Sequence, residues 1–225
     1  SFMKYFTKLE LSMFILSIIL IISSFFIFKN NQYLYLVGSL IGITYLLFLS
    51  KGIIFGQILG IIFSIFYGFI SYSFKYYGEM ITYLCLTSPM AIISLISWIK
   101  HPSKKNKNEV EIKELNLKMN LLIIIVGIIV TIIFYFILKA LNTSNLIVST
   151  ISVFTSFIAV GFTLFRSRFY ALGYALNDIV LIILWSLACG ENISYLPIVI
   201  CFVTFFIFDV YGFINWTKML KNQLS

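Results

Sequence analysis

The stretch YALGYALNDIVLIILW, residues 170–185, places an amide and a carboxyl group side by side in an otherwise apolar segment. The Asn177 amide can both donate and accept hydrogen bonds, and the Asp178 carboxylate can attract a cation. At about 100° per residue of helix, one face collects the polar and aromatic side chains of this segment. That face consists of Tyr170, Gly173, Tyr174, Asn177, Asp178, Leu181 and Trp185. A carboxyl group in such surroundings is expected to face a cavity or a polar partner.

Three further segments carry a mildly polar stripe at helical spacing, so four helices are expected to converge on a shared interior. Small residues at this spacing also serve simply to pack membrane helices closely, and that alternative stays open for the Gly and Ser positions. Asp209 lies nearer the end of its segment, where a structural role is also possible. The candidate solute-binding residues are Asn177, Tyr170, Tyr174, Asp178, Gln57, Ser64, Tyr83, Thr87, Trp185 and Asp209.

The elements that position these residues follow from composition. Hydrophobic residues make up 61% of the 225 residues and charged residues only 11%, which excludes an ordinary soluble globular domain. Apolar runs of about 20 residues, long enough for a helix to cross a bilayer, occur at 11–28, 33–50, 53–74, 80–99, 119–141, 146–165, 169–188 and 195–217. Lipid offers backbone groups no partner and the runs lack strand alternation, so each is predicted to be helical. The sequence predicts an all-α integral membrane protein with eight transmembrane helices.

The net charge of +8 follows the predicted topology and does not indicate a nucleic-acid partner. With eight spans, thirteen of the sixteen Lys and Arg residues fall on the side that holds both termini. Only Lys29, Lys75 and Lys139 fall on the other side. By the positive-inside rule, both termini are predicted to lie in the cytoplasm.

The two halves of the chain share a weak internal repeat. The matching positions are Leu59-Gly60 with Leu172-Gly173, Tyr72 with Trp185, Gly78-Glu79 with Gly190-Glu191, and Trp98 with Trp216. The copies lie four spans apart and so point the same way, which for two three-helix units requires a linker helix between them. The predicted divisions are an extra N-terminal helix (1–30), a first three-helix repeat (31–100), a cytoplasmic loop with the linker helix (101–145), and a second three-helix repeat with a cytoplasmic tail (146–225). The architecture is therefore one helix followed by a 3+1+3 parallel repeat.

Two other predictions come from residue types. Trp98 and Trp216 are each followed two residues later by lysine, and they are predicted to anchor their helices at the membrane interface.

The sequence contains no recognisable catalytic motif. The single histidine, His101, lies in a loop, and no catalytic triad, HExxH, Cys/His cluster or glycine-rich phosphate loop occurs. We predict no enzymatic activity, no cofactor and no metal site.

Several stretches resemble the PnuC family of bacterial nicotinamide riboside transporters. They are KGIIFGQILGIIFSIFYGFISYSFKYYGEM and SWIKH in the first half, and RFYALGYALNDIVLIILW and DVYGFINWTKM in the second. The family's substrate helix carries a W-x-x-W-x-x-x-N/D motif, which places Tyr170 and Gly173 at the tryptophan positions and Asn177 at the last one. A glutamine that is common in the family after the proline of the fourth span is here Ala91.

The resemblance implies a 3+1+3 fold related to sugar-transporting SWEET proteins, a homotrimer in the bacterial cytoplasmic membrane, and facilitated diffusion of nicotinamide riboside that a cytoplasmic kinase then traps. Because both tryptophans are absent, deoxynucleosides, thiamine or riboflavin remain alternative substrates. A non-transporting membrane interaction protein remains a further alternative. In the transporter interpretation Asn177 binds the solute through its amide, Tyr170 and Tyr174 offer aromatic faces, and Asp178 favours a cationic ring or supports Asn177. No basic intramembrane residue is expected opposite the aspartates, so ion-coupled transport is not predicted.

Overall fold

A computed structural model describes residues 2–30 and 32–225 of the chain. Within these residues, eight helices are long and apolar enough to span a membrane. They are α1 (Lys8–Ile27), α2 (Tyr33–Ser50), α3 (Gly56–Ser73), α4 (Tyr77–Lys100), α5 (Leu117–Ala140), α6 (Leu146–Leu164), α7 (Tyr170–Cys189) and α8 (Leu196–Leu224). Each predicted span overlaps one of these helices, so the all-α prediction with eight spans is confirmed.

Six of the helices form a closed ring. Contacts run from α2 to α3, α4, α6, α7 and α8 in turn, and α8 returns to α2. Helix α1 packs on the outside against α2 and α8, and α5 packs on the outside mainly against α6. This order places α5 between two three-helix units, as the predicted 3+1+3 arrangement requires. The repeat symmetry and the boundaries of the four divisions stay predictions.

Helix α4 contains a π-helical segment, Thr82–Thr87, which ends two residues before Pro89. Pro89 lacks the backbone N–H that a regular α-helix would donate to the Cys85 carbonyl four residues earlier. In the π-helical segment the backbone N–H and the hydroxyl of Ser88 both donate to the Tyr83 carbonyl, the hydroxyl at 2.6 Å. The Ser64 hydroxyl of α3 lies 2.8 Å from that of Ser88 and ties the segment to its neighbour.

The polar loop between α4 and α5 is packed against the bundle. Residues 101–116, which we call the strap, contact the α2–α3 turn, the α6–α7 turn and the C-terminal end of α8. The Val110 N–H donates to Gly52 between α2 and α3, and the Lys113 N–H donates to Arg166 between α6 and α7. The Gln223 side chain of α8 accepts a hydrogen bond from the Ile112 N–H at 2.8 Å and donates one to the Val110 carbonyl at 3.1 Å. Val110 is fully buried, so this loop forms part of the folded structure.

Helix α1 is fastened by one acidic side chain. Thr7 and Glu10 form a reciprocal capping box at its N-terminus. Glu10 is also buried, pairs with Lys51 at 3.2 Å and accepts a hydrogen bond from the Tyr211 hydroxyl at 2.8 Å. The outer helix is thereby joined to the α2–α3 turn and to α8.

The prediction that Trp98 and Trp216 anchor helices at the membrane interface is wrong. Both side chains are fully buried, and their ring centroids lie 5.7 Å apart inside the ring of helices. Each indole N–H donates to a backbone carbonyl. Trp98 donates to the Thr163 carbonyl at 2.9 Å, and Trp216 donates to the Leu49 carbonyl at 2.8 Å. These bonds satisfy the one polar atom of each indole, so neither ring needs the lipid headgroups.

Candidate solute-binding cavity

A cavity lies inside the six-helix ring, and all six ring helices contribute to its wall. Its lining residues are Tyr45, Leu46, Gln57, Gly60, Phe63, Ser64, Tyr83, Thr87, Ala91, Ser94, Val160, Thr163, Tyr174, Asn177, Asp178, Phe202, Phe205 and Asp209. The space open to the centre of a water-sized sphere is about 30 Å³, which holds about two water molecules. A larger solute enters only if the helices move apart.

The cavity wall concentrates buried polar atoms that lack a protein partner. Within the described part of the chain, such atoms occur in five lining residues, namely Gln57 Nε2, Thr87 Oγ1, Ser94 Oγ, Asp178 Oδ2 and Asp209 Oδ2. Buried polar groups are normally hydrogen-bonded, and exceptions call for an explanation such as a missing ligand. Three amide or hydroxyl groups from α3 and α4 and two carboxyl oxygens from α7 and α8 therefore line one small cavity.

Asn177 is fixed by the protein before any solute arrives. Its Oδ1 accepts from Thr155 Oγ1 at 2.8 Å and from Ser156 Oγ at 3.0 Å, and its Nδ2 donates to the Tyr83 hydroxyl at 3.2 Å. An amide nitrogen carries two hydrogens, so one N–H remains for the cavity. Asn177 is thus arranged mainly as a hydrogen-bond donor.

Asp178 of α7 and Asp209 of α8 line the same cavity. Both are buried, with 3% and 2% of their surface exposed, and one carboxyl oxygen of each has no hydrogen-bond partner within the described residues. The sequence predicted both as site residues.

The structure brings eight of the ten sequence-predicted residues to the cavity and leaves two outside its wall. The eight are Asn177, Tyr174, Asp178, Gln57, Ser64, Tyr83, Thr87 and Asp209. Tyr170 packs on Trp216 with ring centroids 4.5 Å apart, and its hydroxyl lies 3.5 Å from the Leu49 carbonyl. Trp185 donates from Nε1 to the Tyr67 hydroxyl at 2.7 Å.

Tyr170 and Trp185 instead belong to aromatic clusters on opposite sides of the cavity. The inner aromatic cluster, on the lysine-rich side, consists of Trp98, Tyr170 and Trp216. The outer aromatic cluster consists of Tyr67, Phe74, Tyr76 and Trp185. Along α7, Tyr170 precedes Tyr174 by one turn and Trp185 follows Asp178 by two turns. The cavity therefore lies between two aromatic layers.

Gly173 leaves no room for a side chain. A Cβ atom at this position would lie 2.8 Å from the Ala159 Cα and 3.0 Å from its N, closer than backbone atoms allow. Helices α6 and α7 thus touch at the second tryptophan position of the family motif. With Tyr170 turned into the inner aromatic cluster, neither motif position supplies an aromatic ring to the cavity.

Other helices supply those rings, and sequence reasoning missed most of them. Tyr45 of α2 and Phe63, Phe202 and Phe205 of α3 and α8 line the cavity beside Tyr83 and Tyr174. Tyr45 lies on a helix without a polar stripe, so periodicity gave no signal for it. A signal did exist at Gly60, where a Cβ atom would lie 2.8 Å from the Tyr45 ring, because a glycine in a polar stripe indicates close approach by a neighbour.

Comparisons with known proteins agree on one family. The family model described as nicotinamide mononucleotide transporter matches residues 32–218. The nicotinamide riboside transporter PnuC of Neisseria mucosa is 29% identical over 202 residues, which cover 88% of this chain and 77% of that protein. The protein of the same name from Haemophilus influenzae is 24% identical over 193 residues, covering 85% and 82%. A crystal structure of the vitamin B3 transporter PnuC has a TM-score of 0.86 at 27% identity and covers 97% of this chain and 94% of its own.

Proposed function

The chain belongs to the nicotinamide mononucleotide transporter family, and we propose that it carries nicotinamide riboside across the bacterial cytoplasmic membrane by facilitated diffusion. It is a multi-pass membrane protein, and the PnuC resemblance seen in its sequence is confirmed. Membership in a transporter family argues against an enzyme. The observation that supports transport most directly is the set of unpartnered polar atoms around the central cavity.

The chemistry of the wall favours a riboside over a nucleotide. A phosphate would need Lys, Arg or a cluster of backbone N–H donors, and the lining residues include no Lys, Arg or His. Hydroxyl and amide groups at Gln57, Thr87, Ser94 and Asn177 suit ribose hydroxyls or a carboxamide. Deoxynucleosides, thiamine and riboflavin are the alternatives, since they also lack phosphate and have an aromatic ring for the tyrosines.

Transport requires each aromatic layer to open in turn. The inner and outer aromatic clusters lie on either side of the cavity, and the cavity is too small for a nucleoside in the described arrangement. Opening one layer while the other stays packed gives alternating access without a continuous pore. The chain carries no nucleotide-binding motif, so phosphorylation by an intracellular kinase is what retains the solute.

The remaining parts of the proposal concern orientation and assembly. Both termini lie in the cytoplasm, which the placement of thirteen basic residues on their side of the membrane supports. A homotrimer is proposed from the family resemblance. Cysteine labelling from either side of the membrane and native mass spectrometry of the purified protein test these two statements.

The first prediction replaces Asn177 by leucine. Asn177→Leu removes the donor that faces the cavity and the bond to Tyr83, so uptake of labelled nicotinamide riboside into proteoliposomes should fall by roughly tenfold or more. The matched control is Asn120→Leu on the outer helix α5, which makes the same change outside the cavity. Thermal unfolding of both variants establishes that they fold. Normal uptake by folded Asn177→Leu would exclude Asn177 from the site.

The transport mode is tested in the same vesicles. With the voltage held at zero, labelled solute should show counterflow, and imposed proton or sodium gradients should leave its final distribution unchanged. Concentrative uptake that follows either gradient would contradict facilitated diffusion. A protein that folds yet moves none of the candidate solutes would support the interaction-protein alternative.

A further inference from the structure

A groove separate from the central cavity lies beside the strap, on the side of the membrane that holds both ends of the chain. It is bounded by the segment before α1, the α2–α3 turn, the end of α4 and the strap, and we call it the strap groove. Its volume is about 600 Å³, within the range of pockets that hold small molecules. Tyr5, Ile54, Phe55, Ile99, Lys107 and Asn108 are among its lining residues, and none of these six lines the central cavity.

The apolar wall of the strap groove continues into surface that faces lipid. Phe55, immediately before α3, is 54% exposed, and Ile99, in the last turn of α4, is 58% exposed. Along α3 the exposed side chains of Ile58 and Ile62 follow Phe55 at helical spacing, and along α4 the exposed Ile96 precedes Ile99 by three residues. A hydrocarbon chain that lies on these side chains reaches the groove without crossing polar surface.

The polar end of the strap groove carries a positive charge that the protein does not neutralise. Lys107 is exposed and belongs to none of the ion pairs between residues 2–30 and 32–225. The carboxylates nearby are engaged, because Glu10 pairs with Lys51 and Glu109 accepts a hydrogen bond from the Tyr5 hydroxyl. A headgroup at this end meets a free ammonium group but no free carboxylate. This arrangement favours a headgroup with a net negative charge over one that also carries an ammonium group.

We propose that the strap groove binds one anionic phospholipid from the leaflet on this side of the membrane. The phosphate lies at Lys107 and the side-chain amide of Asn108, both of which donate hydrogen bonds. An acyl chain lies on Phe55 and Ile99. The bound lipid joins the strap to the ends of α3 and α4, whichever solute the central cavity carries.

The charge at Lys107 is tested with two lipids that differ only in the headgroup. Binding of dioleoyl phosphatidylglycerol and dioleoyl phosphatidylcholine to the purified full-length protein is measured by native mass spectrometry. One lysine near an anionic headgroup contributes roughly fivefold in affinity, so the wild-type protein should prefer phosphatidylglycerol by about that factor. In Lys107→Gln the two affinities should lie within about twofold of each other. Lys118→Gln is the matched control, because it removes the same charge at an exposed position on the same side, outside the groove.

The apolar wall is tested by a second pair of variants. Phe55→Ser removes apolar surface from the groove and should weaken binding of both lipids by roughly fivefold while the preference for phosphatidylglycerol persists. Phe26→Ser makes the same change at an exposed position near the other end of α1 and should leave binding unchanged. Thermal unfolding of all four variants establishes that they fold.

Four results would overturn the lipid site. They are equal affinity of the wild-type protein for the two lipids, an unchanged preference in folded Lys107→Gln, an equal loss of preference in Lys118→Gln, and stabilisation by glycerol 3-phosphate at the concentration at which the lipid acts. The third would show diffuse attraction to the whole basic surface, and the fourth a site for a free anion. Release of monomers by Phe55→Ser with unchanged lipid binding would identify the wall as an interface between copies of the chain and would also overturn the proposal.

Discussion

Asn177 shows how neighbouring side chains fix the orientation of a polar group in the cavity wall. Its side-chain oxygen accepts hydrogen bonds from Thr155 and Ser156, and its side-chain nitrogen donates one hydrogen to Tyr83. The direction of the remaining N–H is therefore set by α6 and α4. The sequence predicted Asn177 because a polar residue in an apolar helix is conspicuous. It did not predict Thr155, because a threonine is common in membrane helices and its hydroxyl often bonds its own backbone.

Gly173 gives the second prediction. Gly173→Ala places a Cβ atom against the Ala159 backbone, so α6 and α7 must separate, at a cost of about 1–3 kcal/mol in the free energy of unfolding. Thermal unfolding in detergent should show a lower midpoint, and uptake should fall because Asn177 loses its donors on α6. Gly38→Ala is the control, since its nearest neighbour is the end of the Ile70 side chain at 3.3 Å. Equal stability of the two variants would contradict the close packing.

At the scale of an element, α4 departs from a regular helix. The π-helical segment Thr82–Thr87 inserts extra backbone before Pro89, and such a segment rotates the side chains on either side relative to a regular helix. Tyr83 and Thr87 reach the cavity in this register. Helical periodicity in the sequence identified both residues as part of the polar stripe of this span. Periodicity assumes a regular α-helix, so it cannot predict where a π-helical segment inserts an extra residue.

The third prediction removes the cause of that irregularity. Pro89→Ala restores a backbone N–H and permits a regular helix, in which a shift of one residue turns Tyr83 by about 100°. Uptake should fall by roughly tenfold while thermal stability stays equal or rises. Pro197→Ala is the control, because Pro197 lies in the first turn of α8, where no hydrogen bond is lost. Full activity of folded Pro89→Ala would show that the segment does not position Tyr83.

At the scale of the whole molecule, hydropathy predicted the spans well and their packing less well. Eight apolar runs gave eight helices because the bilayer imposes a length on each of them. Residues 101–116 were predicted only as part of a cytoplasmic loop, because they are polar and rich in lysine. They form the strap because three buried apolar residues, Val110, Ile112 and Leu115, hold them against the helix ends. Trp98 and Trp216 were misplaced for a related reason, since proximity to lysine does not reveal burial inside a bundle.

The fourth prediction concerns the strap. Val110→Asp buries a carboxylate among apolar side chains, so the free energy of unfolding should fall by about 3 kcal/mol or more. The strap contacts both three-helix units, and its release should also lower uptake. Asn108→Asp introduces the same group at an exposed position of the same loop and should have little effect on either measurement. Equal midpoints in the two variants would show that the strap does not hold the units together.

The cavity wall includes two carboxyl groups and no Lys, Arg or His, and transport of a cationic solute through it has an electrical consequence. A cation that crosses without a proton or sodium ion moves one elementary charge per cycle, so its distribution follows the membrane voltage. An inside-negative potential of 100 mV contributes about 2.3 kcal/mol per charge, or roughly fifty-fold enrichment. In vesicles with a potassium diffusion potential, nicotinamide riboside should accumulate and its neutral dihydro form should not. A carrier with no energy source of its own would then draw on the cell's voltage, and its uptake would collapse on depolarisation before any kinase is affected.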